Sequence, residues 1–196
     1  LRKQLENMKI HGVTPVVAIN EFPGDNAGDL RAIEQIAAEY GARSARCTHF
    51  SHGGAGAAEL ASAVDDAASE ESSFAPLYGD DLTLREKIEI VAKRVYGAED
   101  VSFSVPANKQ LDSYERNGFG QLPVCIAKTH LSISSDPKLL GAPTGWTLPV
   151  REVRASVGAG FVYPICGEMR TMPGLGKSPG ANKIDIDANG NIVGLS

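Results

Sequence analysis

Residues 14–20, TPVVAIN, form a short unbroken apolar run, rich in Val and Ile and led by Pro15. Such a run without polar alternation reads as a buried strand of a parallel sheet. EFPGDNAGD (21–29) is a loop by its Gly, Pro, Asn and Asp content. Leu30, Ile33, Ile36, Ala37 and Tyr40 then recur at helical spacing, with Asp29 as the expected cap and Gly41 as the stop. ARSARCT (42–48) is the next expected strand, and HFSHGGAG (49–56) is the loop at its end. A helix follows, with Leu60, Ala61, Val64 and Ala67 inward. Strand, loop, helix, strand, loop, helix implies right-handed crossovers and a parallel sheet. Ligand-carrying loops then gather at the carboxyl ends of the strands.

The character changes at 70–82, where EESSFAPLYGDDL is acidic, polar and turn-rich. This stretch divides the chain into residues 1–82 and 83–196. Thr83 and Glu86 make a capping box that opens a helix with Leu84, Ile88, Val91, Ala92 and Val95 on one face. A second helix is expected from Pro106 to near Gly118. Strands are expected at 123–129, 147–156 and 160–166. IDIDANGNIVGL (184–195) reads as a hairpin with Asn189-Gly190 as its tight turn. The fold class is therefore α/β: an α/β first part followed by a smaller α+β domain.

Composition narrows the partners. The chain has 196 residues, 42% of them hydrophobic, and a net charge of −5 with both signs interspersed. That argues against a general nucleic-acid surface. No apolar run approaches the roughly 18–20 residues of a membrane span. Three scattered cysteines, Cys47, Cys125 and Cys166, fit a reducing compartment, so a cytoplasmic location is expected. LRKQLENMKIHG at the start lacks a signal-peptide pattern and reads as the end of an amphipathic helix, with Leu5 and Met8 on one face and Gly12 as its stop. A chain that begins inside a helix is expected to be a fragment.

Several stretches invite chemical readings. Asp185, Asp187, Asn189 and Gly190 match the opening of a calcium loop, but position 12 is Ser196 instead of Glu, so a hairpin turn is favoured. Cys47, His49 and His52 lie close together, yet no second ligand cluster completes a zinc site, and no metal site is expected. Gly53, Gly54 and Gly56 precede a helix and can either hold an anion on unpaired N–H groups or simply make a tight turn. Lys128, Arg151 and Arg154 can bind phosphate or carboxylate, although a solvated face with Glu152 as partner is commoner. VGAGF (157–161) and TMPGLGK (171–177) are Gly-rich, but neither G-x-G-x-x-G nor G-x-x-x-x-G-K-[ST] occurs. Phe22, with Pro23 beside it, and Phe50 follow apolar strands on the loops where a parallel sheet presents ligands. Two such rings either clamp a flat heterocycle or serve as half-buried loop hydrophobes.

Read in order, PVVAIN-x-FP (15–23), FSHGGAG (50–56), YGAEDV (96–101), LPVCIAKTHLSISSDPKLLGAPTGW (122–146), VREVRASVGAGFV (150–162) and TMPGLGKSPGANKIDID-x-NG-x-IVGL (171–195) resemble the C-terminal part of formate–tetrahydrofolate ligases. The resemblance implies an enzyme that phosphorylates formate with ATP, magnesium accompanying the nucleotide. The N10 amine of tetrahydrofolate then attacks the formyl phosphate. It implies that Phe22 and Phe50, with Pro23, bind the pterin ring, although the family typically carries Trp at position 50. Other departures are Glu21 in place of a basic residue, Arg170 in place of an apolar one and Gly176 in place of Pro. The first part of the chain then finishes a P-loop-type domain, and the intact protein is expected to be a homo-oligomer. The family's Walker loop lies in its N-terminal part, so no catalytic residue is assigned here and the 196 residues alone are expected to be inactive. A non-catalytic folate-binding or scaffold protein is the alternative. A third reading, a GTPase relic whose AIN-x-F is a degenerate N-K-x-D, conflicts with Glu21 and Pro23.

Overall fold

The computed structural model describes residues 1–167, 182–190 and 192–194. Helix α1 (Arg2–Lys9) leads through Gly12 into strand β1 (Val16–Asn20). Helix α2 (Ala27–Glu39) crosses over to strand β2 (Arg43–Cys47), which pairs with β1 in parallel from Val16↔Arg43 to Asn20↔Cys47. The parallel pairing expected from the apolar runs is therefore present.

The local details differ from the sequence reading in several places. The cap of α2 is Asn26, whose side chain accepts the Gly28 N–H at 2.7 Å, while Asp29 sits inside the first turn. Asn26 has the extended backbone that a cap needs, and Asp29 still places negative charge where the helix dipole favours it. In α1 the buried residues are Leu5 and Asn7, and Met8 is exposed. Leu5 clusters with Ala37 and Ala42, while Asn7 faces the second half of the chain, which leaves Met8 at the rim. The expected loop after β2 is instead a single helical turn, α3 (His49–His52), and a 3₁₀ turn over Gly53–Ala57, leading into α4 (Ala58–Ala68). Of the inward face expected for α4, Leu60 and Ala67 are half-buried while Ala61 and Val64 are exposed. Likewise only Ile19 of β1 is fully buried, and Ala18 is exposed. The cause is shared: among the described residues this sheet has two strands, too narrow to cover both apolar surfaces.

In the second half, α5 (Leu84–Arg94) starts at the expected capping box, with the Thr83 side chain accepting the Glu86 N–H and Glu86 accepting the Thr83 N–H. Its buried face is Leu84, Lys87, Ile88 and Ala92, while Val91 and Val95 are only half-buried. Lys87 has 0% exposure. Its Nζ donates to the carbonyls of Asp80 (3.0 Å), Gly120 (2.8 Å) and Leu122 (3.4 Å), tying the linker to the segment after the next helix.

Strand β3 (Asp100–Phe103), which the sequence reading missed, runs parallel to β4 (Thr147–Ser156), and β5 (Phe161–Cys166) pairs antiparallel with β4. Helix α6 (Val105–Arg116) is capped by the Ser104 side chain on the Ala107 N–H, with Pro106 in its first turn. The stretch 123–129 is not a continuous strand. It follows β5 through two parallel bridges, Val124↔Val162 and Ala127↔Ile165. The sheet order β3-β4-β5 carries the larger core: Leu84, Ile88, Leu111, Leu148, Val150, Val153 and Val162 lie together with little or no exposure. The tail forms β6 (Asp185–Ile186) and β7 (Ile192–Val193). Their register, Asp185↔Val193 and Ile186↔Ile192, leaves residues 187–190 outside the strands, more than the two-residue turn expected at Asn189-Gly190. Within it the Asn189 N–H bonds the Asp187 side chain at 2.9 Å, and Gly190 adopts φ +82°. Ser196, Arg170 and the 171–177 loop lie outside the described residues. Among the described residues no helix is long and apolar enough to cross a membrane.

Candidate functional site

The ladder between β1 and β2 continues for one residue beyond β1, where the Glu21 N–H donates to the Cys47 carbonyl at 3.0 Å. Phe22 comes next. Its backbone is fixed by a tight turn: the Phe22 N–H reaches the Asp25 carboxylate at 2.8 Å, and the Asp25 N–H returns to the Phe22 carbonyl at 3.1 Å. Gly24, at φ +97°, takes a conformation that L side chains rarely adopt.

Phe50 is presented from the other strand. Thr48 closes the end of β2 by donating its N–H to the Gly56 carbonyl at 2.9 Å, and α3 sits on that closure. Gly53 spends its N–H on the His49 carbonyl. Around Gly54 there is open space. Of the three glycines, Gly56 is held by close packing, because a Cβ there would lie 2.7 Å from the Thr48 carbonyl.

These two supports bring the rings together. Phe22 and Phe50 have centroids 5.2 Å apart and planes inclined at 55°. Both are exposed, at 42% and 70%. Pro23 is exposed beside them. Loop position alone pointed to these residues; their mutual contact could not be read from sequence.

Three charged residues of this corner, Arg46, Glu34 and Glu21, are paired. Arg46, on β2, donates through Nε to Glu34 at 2.7 Å and lies 3.9 Å from Glu21. The Arg46 hydrogen bond holds the Glu34 carboxyl below its ordinary value. Glu21 thus has a cationic neighbour within this corner.

The remaining candidates separate clearly. Cys47 Sγ and His49 Nδ1 are 3.1 Å apart, and His52 Nδ1 is 3.1 Å from Thr48 Oγ1. Among the described residues there is no group of three or more His, Cys, Asp or Glu that could hold a metal. Arg151 and Arg154 are exposed and both pair with Glu152, at 3.6 and 2.8 Å. The 157–161 stretch is the connection between β4 and β5, a 3₁₀ turn ended by Gly160 at φ +78°. Lys128 turns its ammonium into its own loop, donating to the carbonyls of Thr129, Ser132 and Ser134 and lying 4.9 Å above the Tyr96 ring. Burial pushes its pKa below the ordinary lysine value.

Comparison with known proteins agrees with the ordered blocks. The sequence profile described as formate–tetrahydrofolate ligase matches residues 1–196. The formate–tetrahydrofolate ligase of Saccharopolyspora erythraea is 63% identical over 196 residues, covering 100% of this chain and 35% of that protein. Formate–tetrahydrofolate ligase 3 of Rubrobacter xylanophilus is 56% identical over 204 residues, covering 100% of this chain and 36% of that protein. The Cutibacterium acnes ligase is 51% identical over 195 residues, again with 35% of its length matched. The chain therefore spans about a third of the length of these relatives. With its whole length matched, the chain belongs to the formate–tetrahydrofolate ligase family.

Proposed function

We propose that the protein containing this chain formylates tetrahydrofolate at N10, using formate and ATP, and that this chain supplies the pterin-stacking corner. ATP enters with magnesium and drives formation of formyl phosphate; the folate amine then displaces phosphate. In this reading the β1–β2 pair belongs to the P-loop-type sheet of a cytoplasmic homo-oligomer, and the boundary near residue 82 separates that unit from the smaller domain. The acid–base and phosphoryl-transfer groups lie elsewhere in the whole protein.

The observation that supports this most directly is the convergence of Phe22 and Phe50, both exposed, at the carboxyl ends of paired parallel strands. That edge is where open α/β sheets bind ligands. The rings supply an apolar, polarisable surface that suits a flat heterocycle, and Pro23 extends it. The turn at Gly53, Gly54 and Gly56 carries Phe50 and is proposed to meet an anionic part of the substrate.

The test is tetrahydrofolate binding to the 196-residue chain, followed by calorimetry under anaerobic conditions. Saturable binding that is weakened in Phe22→Ala and Phe50→Ala alike, with melting temperature preserved, is the expected result. Binding that survives both substitutions would overturn the stacking assignment.

A further inference from the structure

A cleft of about 530 Å³ opens between α1 and the loop that begins at Lys128. Asn7 and His11 line one side, with Tyr96, Lys128, His130 and Ile133 across from them. None of its lining residues is Asp or Glu, in a chain whose net charge is −5. A concave site that carries a half-buried ammonium and no acid attracts anions.

The backbone of the loop explains how an anion would be held. The Lys128 ammonium draws in the carbonyls of Thr129 (3.1 Å), Ser132 and Ser134 (3.1 Å). These bonds use all three of its protons, and no carboxylate among the described residues forms an ion pair with it. Every peptide here is trans. A trans peptide sets the C=O of one residue and the N–H of the next on opposite sides. Carbonyls 129, 132 and 134 point inward, so the N–H groups of His130, Ile133 and Ser135 point away from the ammonium. Their neighbours Leu131 and Ser134 donate to the Thr129 and Ser132 hydroxyls. The three outward N–H groups reach no acceptor among the described residues. Two of them, on His130 and Ile133, belong to residues that line the cleft. Outward amides spaced around a positive charge present N–H donors of the kind that bind anions.

On the facing wall, Asn7 is nine-tenths buried, and its Oδ1 has no donor among the described residues. A ligand that carries an O–H or N–H beside its anionic oxygens would meet both walls.

We propose that this cleft binds a small oxyanion, phosphate or carboxylate, on the outward amides of His130 and Ile133 with the Lys128 ammonium behind them. None of the lining residues belongs to the Phe22 or Phe50 loops, so the proposal stands independently of the folate reading.

Amide shifts of the ¹⁵N-labelled 196-residue chain, at constant ionic strength, provide the test. Inorganic phosphate is titrated in one arm and L-glutamate in the other. The expected result is saturable movement of the His130 and Ile133 amides. Saturation by phosphate assigns a phosphoryl ligand, and saturation by glutamate alone assigns an amino carboxylate. No saturable shift at these amides with either probe, up to about 50 mM and so well beyond millimolar affinity, overturns the proposal. Lys128→Met would dismantle the loop itself, so Met8→Glu is the deciding variant. Met8 is exposed and lines the cleft, so the new carboxylate leaves the core untouched. At a separation of several ångströms it should weaken binding about tenfold, with an unchanged melting temperature. Unchanged affinity in that variant also overturns the proposal.

Discussion

Phe22 and Phe50 lean on one another, centroids 5.2 Å apart and planes inclined at 55°, the first from a turn hydrogen-bonded to Asp25 and the second from the helical turn α3. The two rings therefore touch at an angle and occupy the space between them. A flat heterocycle seated between them needs ring planes about 7 Å apart, twice a normal van der Waals contact. A seat for the heterocycle therefore requires that the two side chains rotate apart.

Replacing Phe50 with Ala in an active protein that includes this chain should raise the tetrahydrofolate KM about threefold to tenfold, the value of one aromatic contact. The ATP KM should move little. Phe50→Trp should restore or tighten folate binding through its larger face. Steady-state kinetics for both substrates, together with thermal melts, check this. Equal effects on folate and ATP with a lower melting temperature would show that Phe50 serves the fold alone.

The 196-residue chain assayed by itself should form no 10-formyltetrahydrofolate from formate, ATP and tetrahydrofolate. Its sequence contains no G-x-x-x-x-G-K-[ST] loop. In P-loop enzymes that cradle provides much of the electrostatic stabilisation of phosphoryl transfer. Sustained turnover in a purified sample would refute this.

Lys87→Met should destabilise the chain by about 3 kcal/mol, because the methionine keeps the stem but leaves buried carbonyls without a donor. Urea denaturation with an unchanged slope would measure it. Burial lowers the Lys87 pKa below the ordinary lysine value of 10.5. Between the folded and unfolded values the unfolded chain binds more protons, so this group makes stability rise with pH across that window. The difference in stability between wild type and Lys87→Met, followed upward from about pH 9, should grow. A flat difference would mean that the ammonium titrates as it does in water.

Thiol reactivity should divide the cysteines. Cys125 is exposed, whereas Cys47 and Cys166 are buried. Burial pushes the Cys166 thiol up to about 12, so at neutral pH it offers almost no thiolate. Iodoacetamide should label Cys125 first and Cys166 only after unfolding, as read by peptide mass spectrometry. Early labelling of Cys166 would contradict the packing around β5.

Strong local signals carried much of this fold in the sequence. The apolar run at 14–20 and the Thr83–Glu86 capping box each state their structure within a few residues. β3 was invisible because only Val101 of its four residues is buried, too short a pattern to register against a polar background. The choice of Asn26 over Asp29 as cap depended on backbone angles, which two good capping residues in one loop leave open. Lys87 was missed because its buried position is set by three carbonyls from distant segments, and helix periodicity carries no trace of them. At the candidate site the ring positions were legible from the strand ends, but the Lys128 loop was not. A lysine expected on a strand face instead organises irregular backbone, a relation that exists only in three dimensions.

Gly56 gives this corner an inverted tolerance to mutation. The exposed ring at position 50 ends in open surroundings, so its side chain can be exchanged and the cost appears in ligand affinity. Behind it, even the single carbon of an alanine at 56 would press on the Thr48 carbonyl, 2.7 Å away, and force apart the closure on which α3 rests. Random mutagenesis scored on folded yield should therefore accept many residues at Phe50 and almost none at Gly56, so the site's chemistry can drift while its geometry is held by a residue with no side chain.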